Sequence, residues 1–230
     1  MTIDEKREPA CYASPPCLMH ELDPAYGGIV DAQQRTDVMR WRKAERQRLI
    51  TERLAIGDEF KRDADGRIAA FLEEALGDVS GQTVGAYWPV RGEPDLREFM
   101  VRINARGAQC ALPAIAKSGA PMTFLPWAPG ERSATDNGDI PVPSASREVA
   151  PDIVIVPVVG FDRACHRLGY GDGALDRSLA ALSRKPRLIG VGYAQAAIPT
   201  IYPQPHDIPM EMIVTETGIV TAQHDGEGGQ

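Results

Sequence analysis

The chain has 230 residues, 43% of them hydrophobic, and a formal net charge of -7 at pH 7. That length holds one α/β domain with a sizeable core, and the acidic balance argues against nucleic acid or an anionic membrane as a partner. No apolar run reaches a membrane span, Met1 to Asp4 do not open a signal peptide, and four scattered cysteines (Cys11, Cys17, Cys110, Cys165) form no disulfide framework, so a reducing, cytoplasmic setting is expected.

Residues 1–36 read as an irregular extension holding Pro9, Pro15, Pro16, Pro24 and the Gly27-Gly28 pair. Cys11, Cys17, His20 and Glu21 are potential metal ligands there, but their spacing fits no zinc pattern. Packing on the domain or a neighbour is the expected role. Residues 37–76 carry helical periodicity: Val38, Trp41, Leu49, Leu54 and Ile56, then Ile68, Phe71, Leu72 and Leu76, with a break at Gly57. The first part is basic, with Arg40, Arg42, Lys43, Arg46, Arg48 and Arg53. Arg42 and Arg46 are four apart and share a helical face, where two guanidiniums can clamp a polyphosphate. Taken alone, such a run reads more simply as a solvated face.

Strand candidates follow at Thr83–Trp88 and Ala108–Pro113, separated by a helical stretch from Leu96 to Ala105. Met122–Trp127 reads as a hairpin partner, and 128–146 as a long loop rich in Pro, Gly, Ser and Asp. The β-branched run Asp152-Ile-Val-Ile-Val-Pro157 is the central strand; a loop with Gly169, Gly171 and Gly173 follows, then a helix with Leu175, Leu179 and Leu182 on one face. Strand, glycine loop and helix together present backbone N–H groups to an anion. Arg167 and Arg177 flank the loop, and Asp176 is placed to reach a phosphate-bound Mg²⁺. Leu188–Tyr193 is another buried strand, 199–209 is proline-rich, Ile213–Thr221 reads as a closing hairpin, and 223–230 as a disordered tail. The expected fold is a single α/β domain over 37–222, a mainly parallel sheet flanked by helices. In such sheets ligands bind outside the carboxyl ends of the strands, which brings Glu93, Asp176 and Asp207 towards one crevice.

These residues resemble the 5-formyltetrahydrofolate cyclo-ligase (5,10-methenyltetrahydrofolate synthetase) family. Pro157, Phe161-Asp162, Arg167-Leu-Gly-Tyr-Gly-Asp-Gly173 and Asp176-Arg177 stand in register with that family's strand end and Arg-Leu-Gly-x-Gly-x-Gly-Tyr-Tyr-Asp-Arg loop. Gly192-Tyr-Ala-Gln195, His206-Asp207, Val214-Thr-Glu216, Tyr87 with Glu93, Leu112-Pro113 and Ile140-Pro-Val-Pro143 are similar to its other landmarks, and Arg42 with Arg46 to its Lys-x-x-x-Arg. The resemblance runs in one order from about residue 40 to 220.

It implies a cyclo-ligase-like fold and a reaction dependent on ATP and Mg²⁺. ATP phosphorylates the formyl oxygen of 5-formyltetrahydrofolate, N10 attacks the activated carbon, and 5,10-methenyltetrahydrofolate, ADP and phosphate result. It also implies roles. Arg42 and Arg46 hold ATP phosphates; Arg167, Leu168, Gly169, Tyr170, Gly171, Asp172 and Gly173 wrap the nucleotide. Asp176 and Asp207 hold Mg²⁺, Arg167 and Asp176 serve catalysis, and Tyr87 and Glu93 contact the folate. The chain departs from the pattern at Ala174 and Leu175, where the family has two tyrosines, and at Arg42, His166 and Val142. Two alternatives stay open at this point: an ATP-dependent enzyme for another N-formyl or tetrahydromethanopterin-like substrate, and a non-catalytic nucleotide- or pterin-binding relative.

Overall fold

The computed structural model describes residues 32–114, 122–130, 134–135, 141–142, 147–171, 173–181 and 184–222. The expectations for the Cys11–Glu21 cluster, Asp172, Leu182 and the tail lie outside the described residues, as do Ile140 and Pro143.

Alternating apolar residues build the centre. Seven strands form one sheet in the order β11-β10-β9-β6-β1-β2-β3. They are β1 (Thr83–Gly85), β2 (Gln109–Ala114), β3 (Thr123–Pro126), β6 (Ile153–Pro157), β9 (Arg187–Val191), β10 (Met212–Thr215) and β11 (Gly218–Thr221). β10, β9, β6, β1 and β2 run parallel, while β3 and β11 pair antiparallel at the two edges. Ile153 and Ile155 face one side of β6, Val154 and Val156 the other, the period of two that a strand covered on both faces requires.

Each face has its helices. α2 (Asp58–Leu76) lays Ile68, Leu72 and Leu76 with Phe99, Met100 and Ile103 of α3 (Arg97–Ala105) against the first side. α4 (Ala174–Ala181) brings Leu179 to the second. α1 (Ala32–Leu54) differs: its apolar stripe is thin, and Leu49 joins a small separate cluster with Val159, Leu168, Ile198 and Ile201. The helix therefore lies over the carboxyl ends of the strands rather than on a sheet face. The expected break at Gly57 is present, since Ala55 to Gly57 separate α1 from α2.

Several details depart from the sequence reading. α1 begins at Ala32, so residues 32–36 belong to the helix and not to an extension. β1 stops at Gly85, and Ala86 to Trp88 continue without regular strand pairing. A hypothetical Cβ at Gly85 would lie 2.7 Å from the Phe124 ring. The stretch 128–146 contains two paired two-residue strands, β4 (Ala134–Thr135) and β5 (Pro141–Val142). The glycine loop does not follow the central strand directly. A small hairpin, β7 (Gly160–Phe161) with β8 (Arg167–Leu168), intervenes.

That hairpin is tied down by one carboxylate. Asp162 is 5% exposed. Its Oδ1 accepts from the backbone N–H of Ala164 and His166 at 3.1 and 3.0 Å, and its Oδ2 from Ile201 N–H at 3.2 Å. The hairpin that leads into the glycine loop and the segment around residue 201 are thereby held together. The chain leaves β1 for β2 on one side and returns to β6 on the other, so the order reverses between β1 and β6, the place where such sheets bind ligands.

Candidate active site

A cavity of about 790 Å³ opens over this edge. α1 supplies one wall with Val38, Met39, Arg42, Lys43 and Arg46. The glycine loop and first turn of α4 supply a second, with Arg167 to Gly171, Gly173, Leu175 and Asp176. Gln204 to Asp207 supply the third.

Helical spacing explains the first wall. Arg42, Arg46 and Arg53 all turn inward on α1. Arg40 and Arg48 point out and pair with Asp37, Glu45 and Glu52, so the basic run divides into a buried and a solvated face. Arg46 Nε donates to Gly169 O at 2.6 Å. Burial, and then the neighbouring Arg42, hold the Arg46 guanidinium below its ordinary value. Arg42 faces the third wall rather than the glycine loop. Its Nε donates to Ile201 O and its Nη2 to Tyr202 O, each at 2.9 Å, and it forms an ion pair with Asp207 at 2.5 Å. Burial opposes the charge on Asp207, but hydrogen bonds from Arg42 and from Gln204 N–H outweigh it and hold the carboxyl below the usual range. Tyr202 sits at φ +53° in this loop, with its ring edge-on to Trp41.

The glycines have geometric reasons. Gly171 and Gly173 adopt φ of +97° and +63°, where a side chain is strained. A Cβ on Gly171 would also meet the Arg46 guanidinium at 3.0 Å. Arg167 Nη2 donates to Asp176 at 2.7 Å, while its buried Nε has no hydrogen-bond partner among the described residues. That orphan donor and the cationic wall suit an anion.

Glu93 and Tyr87 lie elsewhere. Neither lines the cavity, so Glu93 does not converge with Asp176 and Asp207 there. Glu93 is buried at the end of the β1 loop, where its Oε1 accepts from the Tyr170 hydroxyl and its Oε2 from Val90 N–H at 2.9 Å. Burial raises its carboxyl above the usual range, against those two bonds. Tyr87 is in the core and donates to Pro94 O at 2.8 Å, bracing the turn that presents Glu93. Sequence reasoning missed Arg53, Asp162 and Glu216 as organisers. Arg53, 5% exposed, donates to Tyr170 Oη at 2.6 Å and Arg91 O at 3.0 Å. Its spacing of seven from Arg46 was the available signal. Glu216 accepts from Ala194 N–H at 2.9 Å.

Asp65, on α2, accepts from Tyr193 Oη at 3.3 Å. Burial pushes its carboxyl up to about 6, against bonds from the Asp95 backbone and Tyr193. A folded-state value above the unfolded one means the associated stability is full below about pH 4 and lost as pH rises through about 6. Asp65→Asn removes that loss. Thermal melts at about pH 8 are expected to show the variant more stable by about 1 kcal/mol, after discounting for its half-exposed position, with no such gap near pH 4. An equal gap at both pH values would show that Asp65 does not carry the linkage.

The comparisons with known proteins agree with this fold. The sequence model of the 5-formyltetrahydrofolate cyclo-ligase family matches residues 38–216. The chain is similar to the 5-formyltetrahydrofolate cyclo-ligase of Mycolicibacterium smegmatis, with 31% identity over 62% of this chain and 78% of that one. It is 26% identical to the Escherichia coli K12 protein of the same name, over 61% of this chain and 81% of that one. Among solved structures, the Aquifex aeolicus 5,10-methenyltetrahydrofolate synthetase superposes with a TM-score of 0.70 at 22% identity, covering 82% of this chain and 96% of that one. The Mycoplasma pneumoniae synthetase gives 0.63 at 20% identity, covering 76% and 98%. The fold is thus that of these synthetases, and the chain belongs to the 5-formyltetrahydrofolate cyclo-ligase family of ligase enzymes.

Proposed function

We propose that the chain is a cytoplasmic, ATP- and Mg²⁺-dependent cyclo-ligase that converts 5-formyltetrahydrofolate to 5,10-methenyltetrahydrofolate, releasing ADP and phosphate. The observation that carries this is the cavity itself, where Arg46, Arg167 and two left-handed glycines line the walls together with Asp176 and Asp207. The nucleotide supplies a γ-phosphoryl group that turns the formyl oxygen into a leaving group. Arg46 and Arg167, with its orphan Nε, meet the phosphates; Arg42 adds charge while bracing the third wall. Leu168 to Gly171, with Gly173, give the loop its shape. Among the described residues no group of three or more His, Cys, Asp or Glu could hold a metal ion. Two carboxylates from separate walls are instead what Mg²⁺ takes when it keeps waters and phosphate oxygens. Asp176 and Asp207 fit that use. Glu93 receives a donor of the folate, and Tyr87 acts at one remove through its turn.

Mg-ATP with 5-formyltetrahydrofolate is expected to give the absorbance of the methenyl product. ATP consumption only with another N-formyl pterin would favour a different substrate. Leu175 lines the cavity, and the family pattern that this sequence resembles has a tyrosine there, so folate binding is expected to be weak. Ala174→Tyr combined with Leu175→Tyr should lower KM for the folate about tenfold or more and change KM for ATP less. A double variant with unchanged folate KM would detach these positions from substrate choice.

A further inference from the structure

Tyr170 stands between two parts of the site. It lines the cavity, yet its hydroxyl turns away and donates to Glu93 Oε1. That hydroxyl also accepts from Arg53 Nη2 at 2.6 Å. The Arg53 and Arg91 guanidiniums flank the ring, 5.8 and 5.5 Å from its centroid. Glu93 is 6% exposed. One of its oxygens is bonded within its own turn, to Val90 N–H, and the other to a phenol carried on the glycine loop. A substrate donor that is to take the Oε1 side of Glu93 must therefore displace the phenol or share that oxygen with it.

We propose that Tyr170 is a positioning residue that couples the glycine loop to Glu93, so that nucleotide on the loop and folate at Glu93 bind with linked free energies. This rests on the functional reading above. The mechanical connection is short. Arg46 Nε holds Gly169 O at 2.6 Å, and Tyr170 is the next residue. A polyphosphate competes for Arg46 and loosens Gly169, and the phenol follows. Glu93 is then a buried carboxylate short of one donor, which an N–H of the folate replaces. A hydrogen bond to a buried charged acceptor, exchanged this way, corresponds to coupling of about tenfold. Linkage requires the folate to raise nucleotide affinity by the same factor.

Titration calorimetry on the full chain tests this, with 5-formyltetrahydrofolate alone and with Mg²⁺ plus a non-hydrolysable ATP analogue. The wild-type protein is expected to bind the folate about tenfold more tightly with the analogue, and the reverse titration to give the same ratio. Tyr170→Phe keeps the ring between Arg53 and Arg91 but deletes the hydroxyl, and its ratio is expected to fall to about one. A merely structural loss shrinks the active fraction and leaves the ratio intact. If Tyr170→Phe does not fold, Glu93→Gln, which weakens the acceptor at constant size, is expected to reduce the ratio likewise. A wild-type ratio of about one, or a full ratio in the variant that folds, overturns the coupling alone. Absence of folate binding in every arm defeats the folate reading itself, and the coupling with it.

Discussion

Asp176→Asn is expected to lower turnover by about tenfold or more while the protein remains folded. Asp176 sits in the first turn of α4 with its side chain 17% exposed, on the cavity and 2.7 Å from Arg167 Nη2. An amide can still accept that hydrogen bond, so the local geometry survives. What it cannot supply is a charged oxygen for Mg²⁺ beside the transferring phosphoryl group. The competing account is that Asp176 only favours the helix N-terminus, an effect of about 0.3–1 kcal/mol on stability. Methenyl formation per folded molecule, read beside a thermal melt, separates the two. Unchanged turnover with a small loss of stability would remove Asp176 from the chemistry.

Breaking the Arg42–Asp207 pair is expected to have the other large effect. The two side chains are 12% and 11% exposed. Removing one partner from such a pair typically costs about 3–5 kcal/mol, because the other is left buried and uncompensated. Arg42→Ala should therefore melt well below the wild type and lose ATP affinity. Arg42→Lys is more informative. It keeps the charge but cannot reach Ile201 O, Tyr202 O and both Asp207 oxygens at once, as the guanidinium does. Its expected outcome is a lower melting temperature together with a raised KM for ATP. A lower melting temperature with an unchanged KM would mean that Arg42 braces the third wall and holds no phosphate.

Much of this architecture was legible in the residues. The alternation Ile153-Val-Ile-Val156 specifies a strand buried on both faces, and the break at Gly57 divides two helices, because both signals are local. The presence of a glycine loop ahead of a helix was legible for the same reason, while the positive φ of Gly171 and Gly173 was seen only in the structure. The partner of Arg42 was not. Helical spacing places it on a face with Arg46, but nothing in that spacing says that Asp207 will neutralise it. Nor does the sequence show Glu93 turned away from the cavity, since that orientation depends on Tyr170 and Arg53 meeting across three segments. Arg53 was hidden among five other basic residues, most simply read as solvated.

The cavity joins Arg42 to Asp207 across 165 positions and Arg46 to Gly169 across 123. During synthesis, α1 emerges long before either partner exists. Its thin apolar stripe gives it little to bury until β6, the hairpin and the loop after β9 are in place. Contacts of such sequence separation carry the full cost of loop closure before any return, so the docking of α1 belongs among the late events of folding. A ligand that bridges α1 and the two later loops binds only the completed arrangement. At saturating concentration it would draw partly folded chains towards the native state by mass action, and it would protect α1 against local detachment and proteolysis.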